Sequence, residues 1–176
     1  MIATDTARGD RSRRCWLIGF AIGLAVIAAD QVTKTLAVDH LSHPVHLFGP
    51  FSLDLTYNSG IAFSIGAGFG LPIVIIVLLG LGVVGVSRRH QLSPATAAAA
   101  GLIGGGALSN LSDRLVRRNG GSVIDFIHST FWPTFNVADS AVVVGCVMVF
   151  VLYWRSQSTH RGPEVTESAS EGQSND

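Results

Sequence analysis

Charge is scarce in these 176 residues. Asp, Glu, Lys and Arg together make up 14%, about half of the roughly 25% that a soluble domain carries. The 12 basic and 12 acidic residues cancel, so there is no electrostatic ground for a nucleic-acid partner. Only two cysteines occur, Cys15 and Cys146, each inside an apolar run and without a CxxC or CxxH neighbour. That argues against a zinc site or a disulfide framework. No internal repeat is evident, so an inverted-repeat transporter gains no support. The length suits one domain and leaves no room for a second enzyme module. What the chain has in place of charge is apolar sequence, 48% of it, and 20 glycines. This is the composition of a membrane protein.

A bilayer core about 30 Å thick needs about 20 helical residues, because lipid offers the backbone no hydrogen-bond partner. Four spans are expected, at about residues 15–38, 70–86, 94–111 and 138–154. The third is rich in Ala and Gly, including Gly104, Gly105 and Gly106, as suits close helix packing, although a soluble Ala-rich helix would look similar. The fourth closes on Tyr153 and Trp154, residues of the membrane interface. Arg8, Arg11, Arg13 and Arg14 precede the first span, Arg88 and Arg89 join the second to the third, and Arg155 and Arg161 follow the fourth. The positive-inside tendency makes that side cytoplasmic. Residues 1–14 then form a basic cytoplasmic N-terminus, 15–154 the membrane domain, and 155–176 a polar, acidic, disordered cytoplasmic tail. The first apolar run also resembles a cleaved signal peptide, but that reading discards Asp30 and Lys34.

The segment from Asp39 to Phe69 holds no Lys or Arg and should face outward. In it Phe51, Leu53, Leu55 and Tyr57 alternate with Ser52, Asp54, Thr56 and Asn58, the period of a half-buried strand. Asn58-Ser59-Gly60 follows as a turn. A small strand-containing cap on the outer ends of the spans is expected. The loop between spans three and four keeps Arg114, Arg117 and Arg118 against the charge rule, so at least one should have a task. It also carries Phe131, Trp132, Pro133 and Phe135, which suit the headgroup level.

Ionisable groups at membrane depth are costly and need a partner or a job. Asp30 and Lys34 are four apart, on one helix face, and can pair; alternatively Lys34 snorkels to the interface. Asn110, Asp113 and Arg114 share a face at the outer end of span three, and Asn136 and Asp139 share one at the start of span four. Asp139 can also cap that helix. Asp125 is an isolated carboxylate between Val123-Ile124 and Phe126-Ile127, with no local role in view. Asp125 and Asp139 can converge where the outward loop meets the helix ends. Two carboxylates at a low-dielectric boundary share a proton, so one can activate water while the other polarises a carbonyl. With the amide oxygens of Asn110 and Asn136 the same pair would suit calcium or magnesium. A transporter using Asp30 or Asp139 as proton carrier, or a scaffold stapled by polar residues, remains open at this point.

Four stretches carry a resemblance. They are Asp30-Gln31-Val32-Thr33-Lys34; Asn58-Ser59-Gly60-Ile61-Ala62-Phe63-Ser64; Gly105 to Arg114 with Val123 to Ile127; and Phe135-Asn136-Val137-Ala138-Asp139-Ser140. In this order they resemble the motif blocks of the lipoprotein signal peptidases (signal peptidase II), bacterial aspartic peptidases of the A8 type. The resemblance implies an all-α membrane protein of four transmembrane helices with a small extracytoplasmic β-cradle, sited in the bacterial plasma membrane with both termini cytoplasmic. It implies Asp125 and Asp139 as catalytic pair, with Asp30, Lys34, Asn58, Gly60, Asn110, Arg114 and Asn136 supporting the site or the substrate, and Asp113 in support. It implies no metal and no cofactor. The substrate would be a prolipoprotein whose Cys already carries diacylglycerol, cut on the N-terminal side of that Cys. Membrane lipid is the other partner; no obligate protein partner is implied and a monomer is expected. One position departs from the pattern: Ser109 stands where the family usually has Gly.

Overall fold

The computed structural model describes residues 3–60, 93–117 and 119–160. The second expected span at 70–86, the Ile61-Ala62-Phe63 segment, Arg88, Arg89, Arg118 and the tail from residue 161 lie outside the described residues. Among the described residues there are three helices, α1 (Ala3–His40), α2 (Pro94–Val116) and α3 (Val137–His160), and four strands, β1 (Val45–Phe48), β2 (Phe51–Asn58), β3 (Val123–Ser129) and β4 (Trp132–Phe135).

Local sequence sets the helix ends. Ser93 caps α2, its Oγ accepting the Thr96 N–H at 3.1 Å, and Pro94 takes the first helical position, where a missing N–H costs nothing. Asn136 caps α3 in a reciprocal box: the Asp139 N–H donates to Asn136 Oδ1 at 2.9 Å and the Asn136 N–H donates to Asp139 Oδ2 at 3.2 Å. Both α1 (from Ser12 to His40) and α3 (from Val137 to Gln157) are long and apolar enough to cross a bilayer. Their outer faces leave large apolar side chains uncovered, with Phe20 68% and Phe150 61% exposed. Such faces fit lipid and not the core of a soluble protein.

The central helix is α2, which packs on both α1 and α3. It runs parallel to α1, since Gly19 meets Ala97 and Gly23 meets Gly101 and Gly105. It runs antiparallel to α3, since Gly106 meets Ala138 while Gly145 meets Ala99 and Ile103. The glycines let the backbones touch, as expected from the small-residue stretch. A Cβ on Gly105 would stand 2.7 Å from the Gly23 carbonyl oxygen and 2.8 Å from its Cα.

The strands form one antiparallel sheet in the order β1-β2-β3-β4. The expected strand over Phe51 to Asn58 is present as β2, with an irregularity that alternation does not foresee. Leu53 lies opposite Ile127, yet Thr56 lies opposite Asp125, so β2 has one more residue than β3 across this stretch. Such a bulge switches which side chains face which way. Before it, Phe51 and Leu53 lie opposite Ser129 and Ile127; after it, Thr56 and Asn58 lie opposite Asp125 and Val123. Hence Asn58 is buried while Tyr57, expected on the covered face, is 51% exposed.

The helix contact at Gly105 can be tested by substitution. Gly105→Ala pushes a methyl into the Gly23 backbone and should cost about 1–3 kcal/mol. At Gly23 an added Cβ meets nothing closer than 3.4 Å, so Gly23→Ala should be neutral or stabilising, because Ala favours helix. Thermal unfolding of the two variants in detergent measures the difference.

Candidate active site

Lys34 organises the end of the bundle where the sheet attaches. It is 0% exposed and does not snorkel. Its ammonium lies 2.7 Å from Asp30 Oδ2, 2.7 Å from Asp113 Oδ2 and 2.8 Å from Asn110 Oδ1. Three donors meet three acceptors, as burial of an ammonium requires. Asp30 and Asp113 pass the connection on. Asp30 Oδ1 accepts the Ala138 N–H in the first turn of α3 at 2.8 Å, an anion placed at a helix N-terminus. Asp113 Oδ2 accepts the Ile124 N–H of β3 at 3.2 Å. The i, i+4 pair of Asp30 and Lys34 is thus present, and it locks α1 to α2, α3 and the sheet.

Beside this cluster stand Asp125 from β3 and Asp139 from α3, and Asn136 touches both. Asn136 Nδ2 donates to Asp125 Oδ1 at 2.7 Å, while its backbone N–H donates to Asp139 Oδ2. The remaining oxygens take one amide each: Asn58 Nδ2 donates to Asp125 Oδ2 at 3.0 Å, and Asn110 Nδ2 donates to Asp139 Oδ1 at 2.9 Å. Among the described residues neither carboxylate makes an ion pair. Asp125 is 2% exposed. Its carboxyl pKa is pushed up to about 6, by burial first and by the charge of Asp139 second, against the pull of the Asn58 and Asn136 bonds and of Lys34.

The amides are themselves fixed. Asn58 Oδ1 accepts the Gly60 N–H at 2.9 Å, and the Gly60 carbonyl accepts Arg114 Nη2 at 2.6 Å. Arg114 therefore has a partner; it lies in the last turn of α2 and not in the expected loop. Asn136 Nδ2 also donates to the Ile124 carbonyl, so its NH2 end must face Asp125. Hydrogens facing the carboxylates suit partly charged oxygens; a cation would call for the amide oxygens instead.

The structure brings together every expected site residue: Asp30, Lys34, Asn58, Gly60, Asn110, Arg114, Asn136, Asp125 and Asp139. It adds others. Gln31 Nε2 donates to Asp113 Oδ1 at 2.9 Å and to Ser109 Oγ at 3.0 Å, and Arg117 donates to Gln31 Oε1 and to Thr35 Oγ1. A polar Gln beside Asp30 in an apolar helix was the available signal for the first. Arg117, at the C-cap of α2, is a second of the three expected arginines with a partner. Position 125 lies on a strand and not in a loop; a buried strand without alternation is hard to tell from any apolar run.

A family model described as signal peptidase II matches residues 22–155. A Rhodococcus jostii protein named lipoprotein signal peptidase is 41% identical over 143 residues, covering 77% of this chain and 72% of its own. A Mycobacterium avium protein of the same name is 39% identical over 157 residues, covering 84% and 85%. The solved structure of a bacterial membrane enzyme superposes with a TM-score of 0.70 at 26% identity, over 84% of this chain and 94% of that one. On a match from residue 22 to 155, and with relatives at 41% and 39% identity, this chain belongs to the signal peptidase II family of peptidases.

Proposed function

We propose that the protein is an aspartic endopeptidase that removes the signal peptide from diacylglyceryl-modified prolipoproteins, with Asp125 and Asp139 as its catalytic pair. The observation that carries the pair is their shared setting: two carboxylates from different elements, both touched by Asn136, each bonded among the described residues by neutral amides alone. With one proton between them, the ionised carboxylate takes a proton from water as its oxygen attacks the scissile carbonyl. The protonated one donates to that carbonyl. Collapse of the tetrahedral intermediate breaks the C–N bond, and the leaving amine, on the lipidated Cys, takes up a proton. Asn58 and Asn110 hold the carboxylates in register, and Arg114 steadies Asn58 through Gly60. Neither step calls for a metal or cofactor.

The same reading places four spans in the plasma membrane, both termini in the cytoplasm and the pair at the outer face. Two observations support it. Asp30 and Lys34 lie toward the end of α1, Asn110 and Arg114 toward the end of α2, and Asp139 at the start of α3, so all share one end of the bundle. Because α1 and α2 are parallel, the chain must return the length of α2, about 34 Å for 23 residues at 1.5 Å each, between Asn58 and Pro94. The sequence between them includes the apolar run at 70–86. The layout of a basic N-terminus at 1–14, a membrane domain at 15–154 and a polar tail at 155–176 belongs to the same proposal, as does a monomer.

Asp125→Asn and Asp139→Asn should each lower cleavage of a diacylglyceryl-modified prolipoprotein in proteoliposomes by about 10³-fold. Wild-type turnover by either variant would refute the pair. The active form holds one proton, so kcat/KM should decline as pH rises through about 6, where Asp125 loses it. Asn58→Ala removes a donor to the ionised carboxylate, so it should move that limb to higher pH. A cysteine at exposed Thr130, in a background with Cys15 and Cys146 replaced by Ser, should react with an impermeant thiol reagent from the outside. Labelling only from the cytoplasmic side would overturn the orientation. Ser129, one residue earlier, is 2% exposed and would report nothing.

A further inference from the structure

Ser109, the one departure from the family pattern, is fully buried and its hydroxyl is engaged. Ser109 Oγ donates to Asp30 Oδ2 at 2.8 Å and accepts from Gln31 Nε2 at 3.0 Å. A glycine or alanine there would leave that oxygen of Asp30 with Lys34 as its remaining partner. A carboxylate oxygen has two lone pairs to fill, and in a site with 0% exposure no bulk water reaches it. The Lys34 ammonium is already 2.7 Å from that oxygen and is shared among Asp30, Asp113 and Asn110. To turn a second N–H onto Asp30 it must shift off Asn110 Oδ1, which would then keep only Asn136 Nδ2 at 3.2 Å, and Asn110 is the side chain that bonds Asp139 Oδ1.

We propose that Ser109 is a positioning residue for the aspartate pair: by occupying Asp30 Oδ2 it keeps one N–H of Lys34 on Asn110, which holds Asp139. The inference rests on the reading of Asp125 and Asp139 as the catalytic pair. Ser109 touches neither of them and acts through Asp30, Lys34 and Asn110. Among the described residues the charged groups around this relay are Asp30 and Lys34 from α1, Asp113, Arg114 and Arg117 from α2, Asp125 from β3 and Asp139 from α3. Lys34 is the cation that the relay moves relative to the pair.

The test is Ser109→Ala in the full chain, assayed in proteoliposomes on a diacylglyceryl-modified prolipoprotein. Alanine favours helix more than serine does, so weakening of α2 is not a competing cause of lost activity. The expected result is a fall in kcat of about tenfold with KM changed by less than about twofold. The alkaline limb of the pH profile should also move up, because the Lys34 charge that lowers the Asp125 pKa recedes. In an Asp30→Asn background Ser109→Ala should cause no further loss, since the two act in series. Wild-type kcat and an unmoved limb, or an equal loss in both backgrounds, would overturn the proposal and leave Ser109 a packing residue. If Asp30→Asn does not fold, as thermal unfolding would reveal, the pH profile of Ser109→Ala alone decides. Inactive Asp125→Asn and Asp139→Asn beside an indifferent Ser109→Ala overturn this proposal alone. Full turnover by either pair variant overturns both.

Discussion

An ammonium group shut away from water has three N–H bonds to satisfy and a charge to neutralise, and Lys34 meets both demands inside the helical bundle. Its acceptors come from α1 and α2, and those acceptors in turn hold the first turn of α3 and the edge of β3. Buried ion pairs contribute little net stability compared with well-packed apolar side chains, because desolvation offsets the attraction. What they do enforce is geometry: if α1 slid by one residue against α2, Lys34 would keep Asp30 but lose Asp113 and Asn110. The glycine contacts of Gly23 with Gly101 and Gly105 permit close approach but do not by themselves choose a register. The ion cluster chooses it.

That choice matters because four buried or part-buried aspartates lie together and must behave differently. Asp30 and Asp113 face Lys34, with Arg117 also 3.4 Å from Asp113, so their negative charge is matched. Asp125 and Asp139 face amides. An amide hydrogen steadies a carboxylate without neutralising it, so each of these charges is felt by the other and the Asp125 carboxyl is pushed up. On the proposed function, the Lys34 cluster pairs two of the acids and leaves the other two for the chemistry. Arg114 belongs to neither group: its guanidinium is spent on the Gly60 carbonyl, and through Gly60 it orients Asn58.

Much of this was legible in the sequence wherever the cause is local. Ser93-Pro94 announces the start of α2, Gly104 to Gly106 announce a close helix contact, and an uncompensated Asp125 in an apolar run announces a buried acid. Asp139 was open to two readings, cap and functional acid; the structure shows the cap, one oxygen closing the box with Asn136, while the other bonds Asn110. What pattern could not supply was non-local. The bulge between Leu53 and Thr56 reverses the facing of β2, so alternation places Tyr57 on the wrong side and misses the burial of Asn58. The pairing of Lys34 with Asp113 and Asn110 joins residues more than seventy positions apart, and no spacing rule reaches that far. The strand identity of Val123 to Ser129 depends on β2 lying beside it.

The sheet adds a last constraint on where the pair sits. One end of it meets the helices through Asn58 and Asp125, and the other end carries the hairpin turns. There the rings of Phe48 and Phe51 lie 5.5 Å apart and those of Phe51 and Phe131 5.9 Å apart, with Phe48 69% and Phe131 70% exposed. The two turns are tied by the Thr130 N–H donating to the Pro50 carbonyl, so the rings move with the strands. In the proposed membrane placement these exposed rings sit at the headgroup level of the bilayer. A sheet held by such rings at its tip and by buried acids at its root would be fixed at both ends, with Asp125 a point on a strand and not on a loop. Rigid placement favours acid–base chemistry, because a misplaced carboxylate loses both its attacking water and its carbonyl. On the proposed function it would also keep the pair at the bilayer boundary, where a lipid-anchored peptide can arrive from one side and water from the other.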